Sequence, residues 1–204
     1  LSDGKEAVLR NLPRGNNGMP GMMGMMMGGG NESFGIMRIT PPSGNRDKRI
    51  NLSAFRVDLP NWNDAPIESR RKMVLDMLMG PSMMMGRAMG GQPPFSINGE
   101  ALDMKVINFR ARKSSFEIWE LANNSVLAHP FHIHNTQFRV LARSNRPVPP
   151  QESGLKDTVI VDPGERVRLL VPFPEYVDEQ NPYMYHCHIL EHEDAGMMGQ
   201  FAVE

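Results

Sequence analysis

The sequence predicts an all-β sandwich, and three observations carry that expectation. Apolar residues gather in short runs at 104–110, 115–121, 137–142, 158–161, 165–171 and 183–188, each too brief for a helix of ordinary length. Turn signals separate them: Asn123-Asn124, Ser144-Asn145, Asp162-Pro163-Gly164 and Asn181-Pro182. Within 166–171 ("RVRLLV"), Val167, Leu169 and Val171 fall on one face of an extended chain, as in a half-buried strand. Many short strands punctuated by Gly and Pro pack sheet on sheet.

From the N-terminus, 34–40 ("FGIMRIT") reads as a strand closed by Pro41-Pro42 and the turn residues Ser43-Gly44-Asn45. Residues 43–69 are polar and irregular, with Pro60 and Pro66, and read as a linker. Residues 70–78 fit two templates: Met73/Met77 and Val74/Leu78 keep helical spacing, while 71–75 suits a short strand. The apolar runs then fill a domain at 70–204, which carries a Met-rich insert at 73–91. The sequence has no convincing internal repeat.

Composition excludes several classes of function. With 22 Lys+Arg against 23 Asp+Glu, no broad basic face argues for nucleic acid or anionic lipid. No apolar run reaches the ~18 residues a membrane span needs. An opening Leu with no leader before it predicts a processed or cut chain. Of the 18 methionines, 13 lie in two Gly-studded tracts, 19–27 and 73–89. Such tracts read either as flexible, weakly apolar loops or as clustered soft donors suited to Cu(I). Neither contains His or Cys, which makes zinc a poor fit there.

All six histidines fall in two motifs, "HPFHIH" (His129, His132, His134) and "HCHILEH" (His186, His188, His192), and the single cysteine, Cys187, lies inside the second. Successive side chains of a strand point to opposite faces. Cys187 therefore faces away from His186 and His188, while His129 sits at odd spacing from His132 and His134. Two sites result. One gathers Cys187, His129 and His192, with Met197 nearby: two imidazoles, a thiolate and a weak thioether, the donor set of a blue-copper electron-transfer centre. The other gathers His132, His134, His186 and His188, which suits copper or iron that also binds a small molecule. Cys187 joins the two through its own backbone, as ligand and as wire. A cysteine nucleophile would need one histidine, and a structural zinc site usually takes more than one cysteine.

These motifs resemble the C-terminal signature of multicopper oxidases, "HPFHIH" followed by "HCHILEHEDAGMM", with the nearest likeness to bacterial copper-efflux (cuprous) oxidases and laccase-like relatives. The resemblance implies a cupredoxin-like Greek-key sandwich at 70–204. It also makes 1–42 the last strands of a preceding cupredoxin domain, with a Met/Gly-rich loop. It implies type 1 copper on His129, Cys187 and His192 with Met197 axial, type 2 copper on His132, and a type 3 pair on His134, His186 and His188. Glu193 resembles the acid that helps deliver protons, and Asp157 in "LKDTV" supports the fold by hydrogen bonding. Single electrons would arrive at type 1 and reduce dioxygen to water at the trinuclear cluster, the donor being Cu(I) or a phenol or aromatic amine. Ser125 and Leu127 stand where copper-efflux oxidases place an Asp and a Met, while Met77 and Asp76 are alternatives for holding the substrate ion. The family's two further His-x-His pairs are missing, so the N-terminal domains of the same enzyme are the implied partner and the periplasm or cell exterior the implied location. The alternative is a stand-alone copper-binding or electron-transfer cupredoxin with Met-rich copper-handling loops.

Overall fold

A computed structural model of the chain describes residues 6–11, 33–40, 61–78, 93–173, 177–178 and 180–204, and divides it into two units, 1–58 and 59–204. In the first unit, β1 (Ala7–Asn11) and β2 (Phe34–Ile39) pair antiparallel, so the strand expected at 34–40 is present. The methionine tract at 19–27 lies outside the described residues.

The second unit is a sandwich of two sheets. Its strands are β3 (Ile67–Met77), β4 (Phe95–Ile97), β5 (Phe109–Ala111), β6 (Phe116–Asn123), β7 (His129–Ile133), β8 (Phe138–Arg143), β9 (Leu155–Lys156), β10 (Thr158–Val161), β11 (Arg166–Pro172), β12 (Tyr183–Cys187) and β13 (Met198–Val203). A six-stranded sheet runs β4-β3-β6-β11-β8-β9, and a five-stranded sheet runs β10-β7-β12-β13-β5. One short helix, α1 (Leu190–Asp194), lies in the β12–β13 connection.

The ambiguous stretch 70–78 is a strand. Extended chain turns Met73 and Leu75 inward together, and β3 then lies parallel to β6 from Ile67 to Leu75. Three expectations need correction. The linker at 43–69 ends earlier, because β3 starts at Ile67 and Trp62 packs edge-on against Phe116, ring centroids 5.7 Å apart. The insert at 73–91 starts later, because 73–77 belong to β3; Met73, 2% exposed, packs in the core and is no soft donor. Residues 79–92 lie outside the described residues. The run at 104–110 is a strand only from Phe109, because Asp103 folds a turn: its Oδ1 accepts from Lys105 N–H at 2.9 Å and its carbonyl from Val106 N–H at 3.0 Å.

Trp119 centres the core, with the rings of Phe109, Phe131, Tyr185 and Phe201 around it at 5.4–6.4 Å. Burying each such side chain is worth roughly 1.5–3 kcal/mol. Glu117, buried beside them, accepts two bonds from Arg71, at 2.6 and 2.7 Å, and one from Trp119 Nε1 at 2.9 Å. Arg71 also lies over Phe109, 3.9 Å from the ring centroid, so one cation fastens β3, β5 and β6. Arg143, with no exposed side chain, bonds Glu165 at 2.7 Å and Glu152 at 2.8 Å and ties β8 to the turn before β11. Gly199 lets β13 lie against Tyr185, whose hydroxyl occupies the space a Cβ would need.

Candidate metal centre

The site grows from one register. β7 and β12 are neighbours in the five-stranded sheet, with His186 opposite His132 and Cys187 opposite Phe131. Directly paired residues share a face, so Cys187 turns inward with Phe131 and Ile133, while His186 turns outward with His132. His129 alternates inward with Phe131 and is fully buried.

The inner face assembles three donors. His129 Nδ1 lies 3.4 Å from Cys187 Sγ, Cys187 Sγ 3.6 Å from His192 Nδ1, and the two imidazole nitrogens 3.3 Å apart. A point equidistant from these atoms is about 2.0 Å from each, close to the ~2.0–2.3 Å at which imidazoles and a thiolate hold a transition-metal ion. The three donors could hold one metal ion. α1 delivers His192, and the loop closes on itself: Met197 N–H donates to His192 O at 2.9 Å and Cys187 N–H to Met197 O at 3.0 Å. Met197 is fully buried beside them. Met198, its neighbour, pairs with His186 in β13 and so faces the other way.

The outer face assembles His132, His134 and His186 as a second group that could hold a metal. His134 Nε2 lies 3.1 Å from His186 Nε2, and His132 stands with its ring 5.2 Å from that of His134. His188 is exposed at the margin of this group, its ring 5.4 Å from His186 and 5.7 Å from His132. Glu193, half exposed, brings Oε2 to 3.4 Å from His186 Nδ1. That nitrogen also lies 3.1 Å from the Cys187 carbonyl, so a hydrogen bond links the two faces beside the covalent path.

Burial sets the protonation of the inner donors. It holds His129 far below the usual imidazole range, at about 4, with the neighbouring His192 adding to the effect. His192 is also lowered, chiefly by burial. Burial pushes the Cys187 thiol up to about 11. Around neutral pH His129 therefore offers a lone pair, while Cys187 must give up a proton to a metal that binds it. His134 is lowered first by burial and then by its histidine neighbours.

Around the donors stand residues that the two motifs do not contain. Ser125 Oγ lies 2.7 Å from His129 Nε2, and Asn123, read only as a turn residue, holds Ser125 through its Oδ1 at 2.8 Å. Thr158 Oγ1 and the Asp157 carbonyl lie 3.0 and 2.9 Å from His132 Nδ1; Asp157 thus acts through its main chain. Phe95 stacks on His192, ring centroids 4.2 Å apart and planes 24° from parallel. Ser125 was visible in the sequence only as a departure from a motif; Phe95 gave no signal, because it reaches its partner from the other sheet.

The family model described as multicopper oxidase matches residues 71–204. A laccase of Haloferax volcanii is 39% identical over 168 residues, which is 81% of this chain and 27% of that protein. Among solved structures, a laccase-like multicopper oxidase from the lignin-degrading bacterium Ochrobactrum sp., with oxidase activity towards lignin model compounds and lignosulfonate, is 32% identical, covering 100% of this chain and 43% of its own at TM-score 0.69. A multicopper oxidase of Campylobacter jejuni described as a metallo-oxidase is 28% identical, covering 98% of this chain and 41% of its own at TM-score 0.70. The chain belongs to the multicopper oxidase family, whose members use copper. It spans about a quarter of the length of the curated relatives it matches.

Proposed function

We propose that the chain is the C-terminal part of a multicopper oxidase, which accepts electrons one at a time at the Cys187 centre and passes them to dioxygen at the outer histidines. One observation carries this reading: β12 places a thiolate donor on one face and an imidazole donor on the other at adjacent positions, each completed by its own neighbours. In this reading His129, Cys187 and His192 would hold type 1 copper and Met197 would add the weak thioether donor, which the burial of Met197 and the outward register of Met198 support. His132 would hold type 2 copper, and His134, His186 and His188 the type 3 pair. Copper, when bound, supplies one-electron redox chemistry at both faces. Buried walls around Cys187 exclude water, and the Cys187–His186 backbone with its cross-face hydrogen bond offers the short route outward. Reduction of dioxygen to two waters takes up four protons with the four electrons, and the half-exposed Glu193 carboxylate beside His186 is placed to hand protons on.

The outer histidines of this chain make half of a trinuclear site, and the N-terminal domains of the same enzyme supply the rest. The four histidines beyond the type 1 set speak against the alternative of a simple electron carrier. The donor is Cu(I) or a phenol or aromatic amine, and the enzyme works in the periplasm or outside the cell. Ser125 is engaged with His129 and Asn123, and Cu(I) recruitment falls to the methionine tracts or to Asp76 and Met77. Replacing the methionines of 19–27 and 79–89 by Ser should slow oxidation of Cu(I) at low copper while sparing a bulky organic dye. Equal losses on both would refute Cu(I) recruitment by the tracts. The test of the whole reading is oxygen uptake with an electron donor, alongside copper counted per chain. The chain alone should turn over little, and joining the N-terminal domains should restore it; full turnover by the pure chain would overturn the reading.

A further inference from the structure

Three of the six imidazoles in the two clusters have their second nitrogen engaged by a hydrogen bond. His129 Nε2 meets Ser125 Oγ at 2.7 Å, His132 Nδ1 meets the Asp157 carbonyl at 2.9 Å, and His186 Nδ1 meets the Cys187 carbonyl at 3.1 Å. Such a bond fixes both the tautomer and the plane of a ring that is to hold a metal. Of the two inner imidazoles, His192 differs from His129. Its Nδ1 faces Cys187 and His129, and among the described residues its Nε2 makes no hydrogen bond. Its main chain is held, by His192 N–H to Ile189 O at 3.0 Å and Met197 N–H to His192 O at 2.9 Å, but neither bond fixes the plane of its ring. The ring of His192 is instead covered by Phe95, near-parallel at 4.2 Å, with His129 tilted at 54° and 5.1 Å.

We propose that Phe95 is a positioning residue for the Cys187 centre, its ring doing for His192 what the Ser125 hydrogen bond does for His129. The inference rests on the proposed function, because it takes His192 Nδ1 as a metal donor. Phe95 is well placed for this. It lies on β4, paired in register with Met77 of β3, so it projects from the six-stranded sheet, whereas the metal donors come from the five-stranded sheet and its β12–β13 loop. A ring fixed to the opposite wall resists rotation of the imidazole about its Cβ–Cγ bond, the motion that would swing Nδ1 away from the Cys187 sulfur. It also keeps water from that face of the ring.

The test uses the copper-loaded full chain and two readouts besides turnover: the visible thiolate-to-copper absorption band, and the rate at which a chelator extracts the metal. Loss of a group that orients a ligand typically costs 10–100-fold in metal affinity. Phe95→Leu, which keeps apolar volume without a ring, should shift or broaden the band and speed extraction about tenfold. Phe95→Tyr, which keeps the ring, should leave both close to the parent. If Phe95→Leu does not fold, Phe95→Met is compared in the same way. A leucine or methionine variant with the parent's band and extraction rate, even if it melts earlier without metal, would overturn the positioning role and leave the metal centre standing. A parent chain that shows no thiolate band at all would overturn the metal centre itself, and the role of Phe95 with it.

Discussion

Raising pH should tighten metal binding at the inner donors by an amount that the burial of Cys187 fixes. The unbound thiol titrates at about 11 and His129 at about 4. Between these values His129 is already neutral and Cys187 still protonated, so each metal that binds the sulfur releases one proton from it. At pH 7 the thiolate is roughly one part in ten thousand, which sets a cost of about 5 kcal/mol against the metal–sulfur bond. The association constant for Co(II) should therefore climb about tenfold per pH unit from roughly pH 7 to 9, and steepen in acid, where His192 and then His129 must also lose a proton. Competition against a chelator of known pH dependence measures the slope, and a weakly buffered indicator counts the protons. Cys187→Ser should flatten the slope over the same range. A parent slope near zero would mean that the sulfur does not ligate or is already ionised; a slope near two at pH 7 would mean that burial does not hold an imidazole neutral. Either result refutes the reasoning.

Removing the guanidinium in Arg71→Met should strand the buried Glu117 carboxylate and cost about 3–5 kcal/mol in denaturant unfolding. Adding Glu117→Leu should recover part of it, the rest being lost with the acceptor of Trp119 Nε1, and a double variant no better than the single would refute the ion-pair account. Gly199→Ala should cost about 1–3 kcal/mol by overpacking against Tyr185, and less in a Tyr185→Leu background, where both the hydroxyl and the ring carbon 2.5 Å from the added Cβ are gone. Equal losses in both backgrounds would point elsewhere. If Met197 is axial, Met197→Leu should raise the reduction potential of the type 1 copper in a redox titration, and an unchanged potential would count against ligation.

What the sequence made legible was whatever depends on strand parity. Odd and even spacing among His129, His132, His134, His186, Cys187 and His188 sorts them onto two faces without any knowledge of which strands pair, because the period of two is built into extended chain. The β assignment of most apolar runs held for the same reason. Local chemistry that competes with the pattern was harder to read. Asp103 turns the chain where apolar residues suggested a strand, and Met73 packs as a core residue although its neighbours in sequence mark it as part of a tract. Contacts across the sandwich were out of reach. Phe95 and His192 are far apart in sequence and meet only because β4 closes the edge of one sheet over a loop of the other.

The register of β12 also limits how this protein can change. Substitutions at Tyr183 or Met184 alter packing, but a one-residue slip of the β12–β7 register over 185–187 would turn the thiolate outward and a histidine inward. The Cys187–Met197 and His192–Met197 main-chain bonds anchor the far end of the segment in the same way. Insertions and deletions are therefore barred from 185–198 far more strictly than replacements. A lineage that keeps this chemistry can replace the residues of that stretch that hold no metal, while its length stays fixed, and changes in length must fall outside it.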